Sequence, residues 1–194
     1  MFSGCAASGV NSTSYTNVSS GNTLLLVNIE QSGGSPPTSV TYGGASLALA
    51  RQDPTSTGYI DTYFLANPAT GPNTLVITMP ATACSWLVNA MTFSNVNQST
   101  PIGSTLGQSG SGSVVSATMP VAGNSLAVNA LAQTVGVTTA GGGQTTLYGS
   151  SGLWLDWKNS TGAPMNMTYN LSAAGTYTWQ MVEIESAQPP CTPT

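Results

Sequence analysis

The stretch "SVTYGGASLAL", Ser39 to Leu49, contains two runs of strand-forming residues on either side of Gly43-Gly44. Paired glycines tolerate the positive φ angles that a two-residue hairpin turn requires, so this stretch predicts a β-hairpin. Similar runs, separated by turn-forming residues, continue along the chain, and no segment has the apolar spacing of a helix. We therefore expect an all-β fold, a two-sheet antiparallel β-sandwich of about 10–13 strands without substantial helix.

The length of the chain, 194 residues, suits a single domain of this kind. We expect the sandwich to span residues 19–187, with a C-terminal tail at residues 188–194. The preceding segment, residues 1–18, is a candidate intersubunit strand, because an extended terminal segment can complete the sheet of a neighbouring copy.

The composition lacks charge. Asp, Glu, Lys and Arg make up 4% of the residues, compared with about 25% in an ordinary soluble domain. Ser, Thr, Asn, Gln and Gly replace them, and these residues hydrate well but repel neighbouring copies weakly. The expected partners are therefore copies of the same chain, in a homopolymer. Two basic residues, Arg51 and Lys158, are too few to bind nucleic acid or an anionic membrane surface.

Targeting signals give little information about location. The opening "MFSGCAASGV" lacks the basic start and the apolar run of a secretory signal, and no apolar run has the length of a membrane span. We expect a processed chain without membrane insertion, located outside the cell or on its surface, and a virion is the alternative.

Two stretches of the sequence are similar: "TMPATACSWLVNAM", starting at Thr78, and "TMPVAGNSLAVNAL", starting at Thr118. A partial copy, "GNTLLLVNIE", starts at Gly21. Because side chains alternate along a strand, each Val-Asn step predicts an inward valine and an outward asparagine. The inward set is Val27, Val88 and Val128, and the outward set is Asn28, Asn89 and Asn129.

Five apolar residues share the parity of these asparagines and are expected on the outer face. Two interpretations are open: the same domain covers them, or they form a contact between subunits. The five residues are Leu24, Leu26, Leu87, Met91 and Phe93.

The three cysteines form no metal-binding pair, and the chain has no histidine. We expect a disulfide between Cys5 and Cys191, near the two ends of the chain, because termini of compact domains often lie close together. Cys84 is then a buried free thiol.

No enzymatic activity, metal or cofactor is expected. Without histidine the chain cannot build a Ser-His-Asp or Cys-His site. Glu183 and Glu185, two apart on one predicted strand, have a glycosidase-like spacing of about 6–7 Å, but paired glutamates near a strand end are more often a solvated face. Asp53, Asp61 and Asp156 do not form a calcium-binding loop.

Carbohydrate contact is an alternative role for two groups of residues. Tyr59, Asp61 and Tyr63 share one face of a predicted strand, and Trp154 lies near Asp156, an aromatic-plus-acid pattern on which sugars stack. The competing interpretation is that these aromatic residues fill the core. Glycans are further candidate partners through six N-x-Ser/Thr sequons, which make the chain a candidate glycoprotein. They lie at Asn11, Asn17, Asn97, Asn159, Asn166 and Asn170.

Four stretches carry a resemblance to a known family: "NTLLLVNIE", "TSVTYGGASLALA", "YFLANPATGPNTLVITMP" and "VNAMTFSNVNQSTPIG". The chain resembles a jelly-roll β-sandwich module of bacterial and archaeal secreted surface proteins and phage structural proteins. The resemblance implies a jelly-roll-like sandwich that serves in scaffolding, display or adhesion, and it supplies no catalytic residue.

The leading hypothesis is a structural subunit of a pilus-like extracellular filament or surface assembly, a protein fibril in which β-strand complementation joins the copies. The alternatives are a phage tail or decoration protein and a carbohydrate-binding or adhesion module.

Overall fold

The structure, a computed structural model, describes residues 2–6, 8–19, 21–33, 35–80, 83–150 and 152–187, and for residues 2–6 and 83–85 the backbone alone. The described residues form fifteen strands and no helix, which confirms the all-β prediction. The strands are β1 (Phe2–Ala6), β2 (Gly9–Asn17), β3 (Leu24–Ser32), β4 (Ser39–Tyr42), β5 (Ala45–Ser46), β6 (Ala48–Pro54), β7 (Gly58–Ala66), β8 (Gly71–Met79), β9 (Ala83–Phe93), β10 (Ile102–Met119), β11 (Leu126–Gln133), β12 (Val137–Ala140), β13 (Thr145–Gly149), β14 (Leu153–Asn159) and β15 (Met165–Ile184).

The chain divides into two compact units, Met1–Gln98 and Ser99–Thr194. This division differs from the expected single sandwich of residues 19–187. The segment 1–18 contributes two strands to its own chain, since β1 pairs with β9 and β2 pairs with β8.

The first unit is a sandwich of a five-stranded sheet, in the order β1-β9-β3-β7-β6, and a four-stranded sheet, in the order β2-β8-β4-β5. The predicted hairpin forms β4 and β5, and both glycines of its turn have positive φ, 55° at Gly43 and 83° at Gly44. Apolar side chains of both sheets meet in one core, which includes Leu25, Val27, Ile29, Tyr42, Leu75, Ile77 and Val88.

The second unit builds two layers from fewer, longer strands. Residues 102–112 of β10 pair with residues 175–184 of β15, and the same two strands pair again after a register shift, from Val114 opposite Asn170 to Met119 opposite Met165. The first pairing belongs to a layer with β11, β14 and β13, and the second to a layer with β12. The two layers share a core that includes Val115, Met119, Leu131, Met167, Tyr169 and Trp179.

The two units repeat one topology. In both main layers, the last strand of the unit lies between the first strand and an intermediate strand of the sequence (β1-β9-β3 and β10-β15-β11). Two more strands follow beside that intermediate strand (β7-β6 and β14-β13). The second layers also have the same strand order. β2 corresponds to the later half of β10, β8 to the earlier half of β15, and β4 to β12. This strand order is that of a jelly roll.

Details of register support the repeat. Asn67 N donates to the Thr23 carbonyl oxygen over 2.8 Å, and at the corresponding place Ser160 N donates to the Ser125 carbonyl oxygen over 2.8 Å. Both outer strands carry a bulge at the same point, between Leu49 and Arg51 in β6 and between Thr146 and Tyr148 in β13. The chain is therefore a tandem pair of similar sandwiches.

The predicted outward asparagines are buried, although Asn28 and Asn89 lie on the face of their strands opposite the first core, as expected. Asn28 is 2% exposed, Asn89 is 9% exposed and Asn129 is fully buried. Val27 and Val88 lie in the first core as expected, but Val128 faces away from the second core, because Ala127, Asn129 and Leu131 take the inner positions. Both faces of β3 and β11 are buried, so alternation alone could not identify the inner face.

The five apolar residues that were expected on the outer face are buried or half-buried. Leu24 and Leu26 are fully buried within the single chain, as the first of the two interpretations required. Leu87, Met91 and Phe93 are half-buried. A second copy is not needed to remove Leu24 and Leu26 from water.

Candidate functional site

The charged residues lie inward, which makes the surface less charged than the composition indicates. All eight belong to the described residues, and each of them is buried or half-buried. Asp61 and Asp156 are fully buried and Glu183 is 2% exposed. Arg51 and Asp53 neutralise each other through two hydrogen bonds, at 2.6 and 2.7 Å. The exposed residues are uncharged, most of them polar or small, with a few large apolar residues such as Val10 and Val18.

Glu183 serves as a structural carboxylate in the second unit. One oxygen, Oε1, accepts hydrogen bonds from Ala122 N (2.5 Å) and Ser125 Oγ (2.7 Å), and Oε2 accepts one from Ser104 N (2.9 Å). These bonds attach the connection between β10 and β11, and the start of β10, to the end of β15. A carboxylate that is buried and bonded in this way stabilises a loop.

Glu185 lies beside Glu183 but is half-buried, and its Oε2 accepts a hydrogen bond from Thr100 Oγ1 over 3.0 Å. The two carboxylates approach each other above Gly103: a Cβ atom at this residue would lie 2.5 Å from Glu183 Oε2 and 2.9 Å from Glu185 Oε1. The structure therefore brings the predicted pair together, around a glycine that leaves no room for a side chain.

The Tyr59, Asp61 and Tyr63 stripe faces the interior of the first unit. Tyr63 is 7% exposed and packs in the core, Asp61 is fully buried, and Tyr59 is half-buried. Gln52 Nε2 donates to Asp61 Oδ1 over 2.8 Å, while Asp61 Oδ2 has no partner. This placement favours the core interpretation of the stripe over sugar stacking.

Burial controls the ionisation of this group of residues. Loss of hydration raises the pKa of Asp61 from 3.8 to about 6; the Gln52 hydrogen bond opposes the rise, and the charge of Asp53 adds to it. Burial, with the charge of Asp61, raises the pKa of Tyr63 to about 12. On the same sheet, burial also raises the pKa of Glu30 above its usual value of 4.5.

Trp154 and Asp156 belong to a polar network in the second unit. Asp156 accepts hydrogen bonds from Trp154 Nε1 (2.9 Å) and Gln144 Nε2 (3.1 Å). The indole ring of Trp154 covers Gly149, where a Cβ atom would lie 2.5 Å from the ring. Burial, with the negative charge of Asp156, holds the pKa of Tyr169 well above its usual value. The indole thus has a structural partner on its polar edge and on one face.

The six sequon asparagines divide by environment. Asn17 is fully buried, and its Nδ2 donates to the carbonyl oxygens of Pro68 and Ala69, so the folded chain does not present it for glycosylation. Asn159, Asn166 and Asn170 are exposed, and Asn11 and Asn97 are half-buried. Asn166 and Asn170 both face outward, as their shared parity predicted.

Two strand edges stand out in the structure, one within the segment 1–18 that was expected to pair with a neighbouring copy, and one that the sequence interpretation did not identify. Among the described strands, β2 pairs with β8 alone, and residues 114–119 of β10 pair with β15 alone. Each therefore has one side without a described neighbouring strand. Neither edge contains a charged residue or a proline. Runs of alternating Ser, Thr and Val are the signal that could have identified them.

Three further observations complete the description. The predicted disulfide lies outside the described side chains, as does the side chain of Cys84. Within the described residues, no three cysteine or carboxylate side chains group as metal ligands. The part of the chain that the structure describes contains no helix that could span a membrane.

Comparisons of the chain with family models, with curated proteins and with solved structures give no match.

Proposed function

We propose that the protein is a non-enzymatic structural subunit of an extracellular filament or surface assembly, which associates with copies of itself. One observation carries the proposal: none of the eight charged side chains is exposed, although all of them lie in described residues. The fully exposed residues are all uncharged, and five charged residues reach the surface in part: Glu30, Arg51, Asp53, Lys158 and Glu185.

The physical argument concerns repulsion between copies. A net charge far from zero keeps ordinary proteins apart in solution, and mixed surface charges oppose close packing because each must lose water. The formal net charge of this chain is −4, and Asp61, Asp156 and Glu183 carry three of its six acidic groups inside the units. Close contact between two copies therefore removes few ionic groups from water.

A phage or other virion component is the second candidate. The specific observation in its favour is the jelly-roll strand order in both units, an architecture that also occurs in viral capsid proteins. This is an argument from fold alone. Electron micrographs of the native source distinguish the two candidates, since long free fibres support the first and virus particles support the second.

Purified protein provides the test of self-association. We expect sedimentation velocity to show concentration-dependent polymers, and negative-stain electron microscopy to show ordered assemblies. The assembly should depend weakly on salt, because few ionic groups are available for screening. A protein that remains a monomer at millimolar concentration, in dilute and in concentrated salt, contradicts the proposal.

A further inference from the structure

The two unprotected strand edges occupy equivalent positions in the two units. The β2 edge (Gly9–Asn17) borders the second sheet of the first unit, and the β10 edge (residues 114–119) borders the corresponding layer of the second unit. The pairing of β2 with β8 runs over nine consecutive residues without a register shift, and the β10 edge is regular from Val114 to Met119. The outer side of each strand thus presents a straight row of backbone donors and acceptors.

Other edges of the described sheets carry features that discourage pairing. β6 has a bulge, the Arg51–Asp53 ion pair and Pro54. β1, β12, β13 and the first half of β10 each contain a register shift, and β5 is two residues long. Bulges, charges, proline and short length are the usual protections of an edge strand. Their absence from the β2 and β10 edges marks these two as different.

Both unprotected edges also expose an apolar side chain near their beginning. Val10 of β2 is 70% exposed and Val114 of β10 is 59% exposed. Both point outward from the sandwich, because their partners in the sheet, Thr78 and Asn170, alternate with core residues. A strand added to either edge would cover part of this apolar surface.

We propose that the β2 edge of one copy pairs with the β10 edge of a second copy, as neighbouring strands of a continuous sheet. The inference rests on the proposed function, and it names the partner surface. A contact between two different edges leaves one free edge of each kind at the ends of every pair, so the contact repeats. It produces an open polymer when the rotation between successive copies does not close a ring. It also covers both unprotected edges of every internal copy, which a two-fold contact between β2 edges would not do.

Two complementary variants test this pairing. The β2-edge variant carries Ser12→Lys and Ser14→Lys, and the β10-edge variant carries Val114→Lys and Ser116→Lys, all at exposed positions. Lysine on an edge strand opposes the addition of another strand. We expect each variant alone to lose polymers, with a critical concentration raised by about tenfold or more.

The mixture of the two variants gives the decisive result. Each variant retains the edge that the other has lost, so the mixture should form a heterodimer that grows no further. Sedimentation velocity and light scattering measure its mass. A dimer of the β10-edge variant alone would instead indicate a two-fold contact between β2 edges, and it would overturn the proposal.

A matched control separates edge effects from charge effects. Thr74 and Asn170 lie on the same outer faces, directly opposite Ser14 and Val114, but on interior strands. The double variant Thr74→Lys/Asn170→Lys adds the same charge and should polymerise like the wild type. Circular dichroism melting confirms that all variants are folded.

The proposed function and the pairing fail in different ways. If the wild type remains a monomer, the proposed function is wrong. If the wild type polymerises and both edge variants polymerise equally well, self-association stands and the edge pairing is wrong.

Discussion

The two units reach the same topology with different interiors. At one position the first unit has Val27 in an apolar core, whereas the second unit has Asn129, whose Nδ2 donates to Tyr169 Oη. At another position the first unit has Thr92, whose Oγ1 lies 2.9 Å from Tyr15 Oη, whereas the second unit has Glu183, whose carboxylate is buried. The fold thus tolerates polar groups in its interior wherever the neighbouring residues supply hydrogen-bond partners.

The largest effect is expected at Gly58, where β7 approaches β3 closely in the first unit. A Cβ atom on Gly58 would lie 1.9 Å from the Gln31 carbonyl oxygen, a backbone atom that cannot move away alone. We expect Gly58→Ala to destabilise the protein by about 3 kcal/mol or more, since β3 and β7 must separate.

Thermal denaturation and hydrogen exchange measure this effect, which should be greatest in β3 and β7. Gly142→Ala is the control in the second unit, because a Cβ atom there meets no atom within 4 Å. Equal stability of the two variants would show that β3 and β7 do not require a glycine at their contact.

A second prediction compares equivalent polar positions. Glu183→Ala removes the acceptor of Ala122 N, Ser125 Oγ and Ser104 N, so we expect a loss of about 3 kcal/mol. Thr92→Ala removes one hydrogen bond to Tyr15 and should destabilise by about 1 kcal/mol. Urea denaturation measures both changes, and the reverse order would contradict the structural role assigned to Glu183.

A third prediction concerns the buried acid of the first unit. The pKa of Asp61 is about 6 in the folded protein, compared with an ordinary value of 3.8 for an exposed aspartate. Folding therefore favours its protonated form. Its contribution to the free energy of unfolding is fully present below about pH 4 and is lost as the pH rises through 6.

We therefore expect Asp61→Asn, which cannot ionise, to be more stable than the wild type at pH 8 by about 1–3 kcal/mol. At pH 3 the difference should largely disappear. Chemical denaturation across this pH range measures the difference in the free energy of unfolding. If the wild type gains stability relative to the variant from pH 4 to 7, the assignment is contradicted.

The smallest expected effect belongs to a substitution that copies a core residue of the first unit into the second. Asn129→Val places in β11 the residue that the first unit has at Val27. Asn129 Oδ1 has no partner, so the substitution removes an unsatisfied buried oxygen together with the bond to Tyr169. We expect a change within about 1 kcal/mol in either direction. A loss above about 3 kcal/mol would show that the polar network, rather than packing, stabilises the second core.

The strands were predictable where the local pattern is strong and were missed where it is weak. The glycine pair of the β4–β5 hairpin and the alternating residues of β7, β8 and β14 indicated their structure directly. The first half of β10, "IGSTLGQSGSG", was missed because Gly and Ser have low strand propensity, and its pairing with β15 determines its conformation.

The internal repeat was only partly visible. The similarity between the stretches that start at Thr78 and Thr118 relates the end of β8 to the end of β10, which are different strands of the jelly-roll order. The equivalent strands are β3 and β11, which share "GN", a Thr or Ser, and Leu at their start, with positive φ at Asn22 and Asn124. A few matching residues in an eight- or nine-residue strand are too few to distinguish the two relations.

Among the predictions for individual residues, Val128 as an inward valine and Asn129 as an outward asparagine are wrong. Asn28 and Asn89 lie on the predicted face but are buried, because strands covered on both sides bury polar and apolar residues alike. The segment 1–18, which contains β2, was expected to pair with a neighbouring copy, but the edge formed by residues 114–119 of β10 was not predicted.

By itself, the sequence determined the strand content, the hairpin chemistry and the scarcity of charge, because these depend on residue type and near neighbours along the chain. Only the tertiary structure decided that there are two sandwiches, that Asp61, Asp156 and Glu183 lie inside them, and that β2 and β10 lie at edges. These features depend on pairings between residues far apart in sequence, and an alternating pattern contains no information about which distant strand becomes a neighbour.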